Sequence, residues 1–245
     1  IRGVGLIPPS MGSYPGGITL SQYILTLDPI LYYKMDETAG VTAINYGTLG
    51  APANGTYNGP VLDSIDAPGG TRAPYFDGLN DYLNALTAAL QGALNMTVGT
   101  IQFWYKPFAG VLTDGINRRL AIFRTNAANI FTSSKPNVNN QFITIYTANA
   151  DTETYTYLNA SYDWQLITLT FEDVTTDTVN YYVNDVAQAP STPIGTWAGV
   201  LANARIGGDG VVAAQWWNGY LSHAAIWTRV LTAGEVAVIY ALRAI

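Results

Sequence analysis

From about residue 70 onward, apolar and polar positions alternate with a period of two in short runs. In residues 98–106 (VGTIQFWYK), Ile101, Phe103 and Tyr105 fall on one face, and Gln102, Trp104 and Lys106 on the other. Residues 178–184 repeat the pattern, with Val179, Tyr181 and Val183 set against Asn180, Tyr182 and Asn184. Comparable runs occupy 119–125, 140–148, 152–158 and 164–171, separated by turn-forming residues. Residues 73–77 and 81–86 flank the turn Gly78-Leu79-Asn80, and residues 216–227 (WWNGYLSHAAIW) read as a final buried strand. Regular short strands of this kind predict a sandwich or barrel.

The ends differ from this pattern. Residues 19–27 (TLSQYILTL) predict a short helix stopped before Pro29, and 31–35 a first strand. Residues 40–71 are rich in Gly, Asn, Pro and Asp and read mostly as loop. Near the C-terminus, Thr232 followed three residues later by Glu235 forms a capping box, which predicts a helix over 233–243. Pro8, Pro9 and Pro15 with five glycines make residues 1–20 an extended arm, and Val4, Leu6 and Ile7 give it a reason to dock on a neighbour. The expected division is an arm over 1–22 and one domain over 23–245, with no internal repeat. Ile1 is not a start methionine, so numbering from an internal or processed position is expected.

Composition narrows the function classes. Charged residues make up 11% of the chain, against about 25% in typical soluble domains. Much of the surface is therefore expected to be polar but neutral, which suits assembly interfaces and sugar contacts. With 17 Tyr, 7 Phe and 6 Trp the chain is not a disordered type. A net charge of −6 and the absence of any Lys/Arg run argue against nucleic-acid binding. No cysteine is present, so neither disulfides nor thiolate metal sites form. No apolar stretch reaches the length of a membrane span.

Five segments in order, DPILYYKMDETAG, YFDGLNDYL, IQFWYKP, WQLITLTF with VNYYVND, and ARIGGDG with WWNGYLSHAAIWTRVLTAGEVAVIY, resemble the laminin-G-like or concanavalin A-like jelly rolls. The resemblance spans about residues 23–242. It implies an all-β, two-sheet antiparallel jelly-roll sandwich with an extended N-terminal arm and a short C-terminal helix. Ligands in such folds sit on rim loops or on the concave face. The opening SQYILTLDPILYYKMDETAG is similar to versions in bacterial secreted proteins and bacteriophage virion proteins.

The resemblance also implies a calcium site. Asn80 and Asp81 match the acidic or amide pair after the FDG turn, Asp209 matches an acidic position in GGDG, and Asp77 comes from the FDG turn itself. Asp36 and Glu37 suit a site on the opposite rim. Ser222 stands where many relatives have Asp, and the loop after Asp209 adds only Gln215. The cofactor expectation is therefore none, or calcium. Aromatic rings beside amides suit sugars, because a pyranose stacks one apolar face and hydrogen-bonds at its edge. Trp216, Trp217 and Asn218, and Tyr155 and Tyr157 near Asn159, have that composition, although at least half of the rings must be core. Trp104, Trp164 and Trp227 read as core.

Catalysis is disfavoured. Glycan hydrolysis needs two placed carboxylates. The nearest sets, Asp151 with Glu153, and Glu172 and Asp173 with Asp177, lack a completing partner. His223 is the only histidine, and its apolar surroundings indicate a structural role.

Two functions are expected from these readings. One is a non-catalytic virion structural or surface protein of a phage, as capsid decoration, fibre or tail component, assembled with virion proteins or with itself. The alternative is a carbohydrate-binding adhesin module of a secreted bacterial protein, acting on surface glycans.

Overall fold

The computed structural model describes residues 17–94, 96–149, 151–173, 177–188, 195–210 and 215–244. Residues 1–16, which carry most of the expected arm, lie outside the described residues. Strands are numbered in chain order: β1 Leu31–Tyr33, β2 Thr42–Ala43, β3 Gly55–Asn58, β4 Val61–Ala67, β5 Thr71–Asp77, β6 Tyr82–Asn84, β7 Val98–Pro107, β8 Arg118–Asn126, β9 Asn129–Lys135, β10 Gln141–Ala148, β11 Asp151–Leu158, β12 Gln165–Glu172, β13 Thr178–Val183, β14 Val186–Ala187, β15 Asn203–Ile206 and β16 Asn218–Trp227. The helices are α1 Leu20–Thr26, α2 Ala88–Ala93 and α3 Ala233–Ala241.

The strands form two eight-stranded sheets. The first runs β14-β13-β12-β7-β16-β5-β4, with β1 also paired to β16, and the second runs β11-β10-β9-β8-β15-β6-β3-β2. Every named strand pairing is antiparallel. The jelly-roll sandwich expected from the sequence is the architecture observed.

Two cores hold it together. Between the sheets, Ile101, Phe103 and Tyr105 of β7 and Leu169 and Phe171 of β12 join Phe123, Phe131, Phe142 and Tyr146 from the second sheet. On the outer face of the first sheet, Tyr32, Trp104, Leu166 and Trp227 meet Leu20 and Ile24 of α1 and Val236 and Ile239 of α3. Both helices start in capping boxes, Thr19 with Gln22 and Thr232 with Glu235. Each box satisfies two otherwise orphaned N–H groups, so a short helix becomes a stable lid. Because those lids exist, β7 is buried on both faces, with Gln102 and Trp104 as inaccessible as Phe103.

Several expectations are corrected. Residues 40–71 are not mostly loop but carry β2, β3 and β4. Their Gly, Asn and Asp residues serve turns and bulges rather than breaking strands. The segments β9, β14, β15 and α2 were not foreseen. The turn at 78–80 stands where expected, but the strands it joins lie in different sheets, β5 in the first and β6 in the second. It carries the chain over the rim of the sandwich, and that crossing places the candidate site.

Candidate functional site

Four chain segments meet at this rim: the end of β3, the 78–80 crossing with β6, β15 with the loop to Gly210, and the approach to β16. They enclose an open cleft of about 570 Å³ lined by Asn58, Gly59, Asn80, Tyr82, Arg205, Gly210 and Trp216. Alternation positions Tyr82. Leu83 enters the core between the sheets, so its neighbour Tyr82 faces outward. The Tyr82 ring stacks beside Trp216 with centroids 5.8 Å apart and planes 27° from parallel. The Arg205 guanidinium lies 4.3 Å above the Tyr82 ring, a cation–π contact that holds it in place. Gly208 forms a β-bridge with Trp216, and a Cβ there would strike the indole. Gly210 (φ +69°) packs against the Arg205 guanidinium in the same way.

The carboxylates expected to bind calcium do converge on this rim, but each has a structural partner. Asp77 Oδ1 accepts the Leu79 N–H at 2.8 Å, an Asx turn that starts the crossing. Asp81 is buried, its Oδ2 accepting the Asp77 N–H at 2.9 Å, and burial raises its pKa above the ordinary carboxylate value. Asp209 is 2% exposed and pairs with Arg119 at 3.5 Å. Its Oδ1 has no hydrogen-bond partner among the described residues. Asn80 is exposed at the cleft. Among the described residues, no three His, Cys, Asp or Glu side chains are grouped to hold a metal ion. At the second suggested site, Glu37 accepts the Ile44 N–H and the Tyr57 hydroxyl.

Of the five residues expected to contact sugar, only Trp216 lines the cleft. Trp217 is fully buried and meets the Tyr105 ring edge-on at 5.8 Å. Tyr155 is buried and donates to the Val179 carbonyl, while the Tyr157 hydroxyl bonds that of Tyr105 at 2.6 Å. Asn218 accepts the Tyr75 hydroxyl at 3.1 Å. The reason is strand parity. Tyr155 and Tyr157 share the inward face of β11, and Trp217 falls inward where Trp216 falls outward. Sequence reasoning missed Asn58, Tyr82 and Arg205. The signal for Tyr82 was its alternation with Leu83. Arg205 sits in a strand too short to show a period.

The carboxylate sets considered for hydrolysis are scattered. Asp151 and Glu153 lie on the edge strand β11, and Glu172 ends β12 in the other sheet. His223 is fully buried at a β-bulge in β16, with φ +47°. Its Nδ1 meets the Tyr32 hydroxyl at 2.7 Å, and its Nε2 meets the Pro68 carbonyl at 2.8 Å and Thr71 Oγ1 at 3.0 Å. Burial lowers its pKa to about 4. It is a structural, neutral imidazole, as expected.

Comparison with known proteins agrees with this architecture. A family model described as the concanavalin A-like lectin/glucanases superfamily matches residues 67–237. No curated protein sequence matches the chain. Among solved structures, the botulinum neurotoxin serotype D binding domain is similar over 87% of this chain and 51% of its own, with TM-score 0.66 and 12% identity. The botulinum neurotoxin type G receptor-binding domain is similar over 87% and 51%, with TM-score 0.57 and 15% identity. The serotype D ligand-binding domain in complex with N-acetylneuraminic acid matches over 87% and 50%, with TM-score 0.55 and 11% identity. The chain thus spans about half the length of these structures, and at such identity the likeness is one of fold.

Proposed function

The chain belongs to the concanavalin A-like lectin/glucanases superfamily, and from that membership and the rim geometry we propose that it is a non-catalytic, glycan-binding attachment module. The observation that carries this reading is the cleft. Tyr82 and Trp216 supply ring surface, Asn58 and Asn80 supply amides at its edge, and Arg205 supplies a fixed cation. A pyranose needs that combination, an apolar face to stack on and a few convergent polar groups for orientation. The similarity to a toxin domain solved with N-acetylneuraminic acid supports the same class of ligand. Asp77, Asp81 and Asp209 shape the rim in this reading. Titration with and without chelator tests whether they also hold calcium, since a glycan affinity that falls on chelation would assign them that role.

The test is a glycan array followed by calorimetry. Binding to a defined glycan that is lost in Tyr82→Ala, with unchanged thermal stability, supports the proposal. Undiminished binding in Tyr82→Ala and Trp216→Ala refutes it.

We further propose that the module is displayed on a phage virion. The support is the opening motif, the low charge, and apolar side chains such as Val61, Leu79, Leu158 and Val200 left largely exposed, which suit burial by neighbouring subunits. A defined multimer in light scattering, with residues 1–20 protected from protease, is the expected result. A monomer cut freely in that segment favours the secreted adhesin instead. No helix among the described residues is long and apolar enough to cross a membrane.

A further inference from the structure

A second groove adjoins the rim cleft and shares one residue with it. It has a volume of about 490 Å³ and is lined by residues that include Asn84, Arg124, Asn126, Asn203 and Arg205. Register places these side chains together. Asn203 faces Arg124 across β15 and β8, and Arg205 faces Asn84 across β15 and β6. Directly opposed residues share a face, and Phe123 and Ala204 between them point into the core. Arg124 and Arg205 are therefore diagonal neighbours on the outer face of the second sheet. Arg205 serves both hollows, so the two form one trench over β3, β6, β15 and β8. At about 4.8 Å per strand this trench runs about 14 Å across the sheet.

Its charge is unusual for the molecule. The protein carries a net charge of −6. Arg72, Arg118, Arg119, Lys135 and Arg229 are each paired with a carboxylate. Among the described residues, Lys34, Lys106, Arg243, Arg124 and Arg205 form no ion pair, and of these Arg124 and Arg205 stand diagonally across the paired strands β8 and β15. Like charges on adjacent strands repel, and each guanidinium can turn a forked pair of N–H donors toward a group that lies between them. Around them stand amides rather than acids.

We infer that the trench takes an acidic glycan several sugars long, with an anionic substituent seated between Arg124 and Arg205 while a neighbouring ring stacks at Tyr82 and Trp216. This rests on the glycan-binding reading above and adds the ligand's charge and length. A guanidinium pair favours carboxylate or sulfate through forked, charge-assisted hydrogen bonds.

The experiment titrates the protein with polygalacturonate, dextran sulfate and uncharged dextran at low and at physiological salt. It compares wild type with Arg124→Gln, Arg205→Gln, Arg205→Lys and Tyr82→Ala. The expected result is tighter binding to one or both acidic polymers than to dextran, weakened by salt. Arg124→Gln and Arg205→Gln each lower affinity for the acidic polymer by about ten-fold or more. Arg205→Lys recovers only part of that loss, because the fork is gone. Preference between the two acidic polymers tells carboxylate from sulfate. Equal binding of acidic and uncharged polymers, or an acidic affinity unmoved by Arg124→Gln, overturns the inference. If uncharged glycans still bind and Tyr82→Ala abolishes that, the glycan-binding reading survives alone. If no glycan of any kind binds, both fall.

Discussion

Between about pH 7 and 4, His223 should make acidification destabilise this protein. His223 is the only histidine and is fully buried, with both ring nitrogens engaged by Tyr32, Thr71 and Pro68. Burial, with Lys34 adding repulsion, lowers its pKa from 6.5 to about 4. In the unfolded chain the imidazole protonates near its ordinary value, so between the two values the unfolded state binds the extra proton. Stability is then fully present above about pH 6.5 and falls as pH drops toward 4. At about 1.4 kcal/mol per pH unit, the loss is about 3 kcal/mol. Asp81 and Asp173, whose carboxyl pKa values are raised, oppose this trend, while Asp114 and Glu235, whose values are lowered, add to it at lower pH. A variant removes that background. His223→Asn tolerates the positive φ at the bulge and does not titrate. It should cost about 1–3 kcal/mol at neutral pH by removing the buried hydrogen bonds from the imidazole to the Tyr32 hydroxyl and the Pro68 carbonyl, which keep their contacts to Ser21 and Thr71. Urea unfolding of both proteins across this pH range gives the difference curve. The stability advantage of wild type over the variant should shrink by about 3 kcal/mol as pH falls from about 7 to 4. The imidazole proton resonance gives the pKa directly. A folded-state midpoint near the ordinary value, or an advantage that does not change with pH, would refute the reasoning.

Other outcomes follow from the same geometry. Trp217→Ala should cost about 3–5 kcal/mol in denaturant unfolding, because the indole is buried beneath the rim, whereas Trp216→Ala should weaken glycan binding with a smaller stability change. Gly210→Ala places a methyl on the Arg205 guanidinium and should reduce glycan affinity in calorimetry without altering the circular dichroism spectrum. Asp114→Asn removes the carboxylate shared by Arg118 and the fully buried Lys135. Stranding that ammonium should cost about 3–5 kcal/mol. The same bridge should weaken at acid pH, since the Asp114 pKa lies below its ordinary value and its contribution is lost as pH falls through the folded-state pKa. A melting temperature for Asp114→Asn equal to that of wild type would contradict this.

The candidate site was legible only in part. Asp77, Asn80, Asp81 and Asp209 were singled out from the resemblance and Trp216 as an aromatic beside an amide, and all of them come to one rim. Their roles were not legible. Whether Asp77 binds a ligand or caps a turn depends on where the Leu79 N–H points. Trp216 and Trp217 are adjacent and chemically alike, so only the pairing of the approach to β16, where Trp216 bridges Gly208, decides which is surface. Arg205 gave no signal because its environment is assembled from Tyr82 and Arg124, both far from it in the chain.

The amino-acid sequence by itself determined the local elements. Period-two alternation specified β7, β8, β10, β11, β12 and β13, and the Thr232–Glu235 capping box specified the start of α3, because such preferences are set within a few residues. The tertiary structure alone decided which faces are covered. Alternation divides a strand into two sides without saying what lies against each. The two helical lids are what covers the Trp104 face of β7, which the sequence read as core without saying against what. The pairing of β5 and β6 into different sheets made the 78–80 turn the crossing that builds the rim. Those outcomes depend on contacts between residues distant in the chain, and so does the joining of Arg205 to Arg124 that gives the trench its charge.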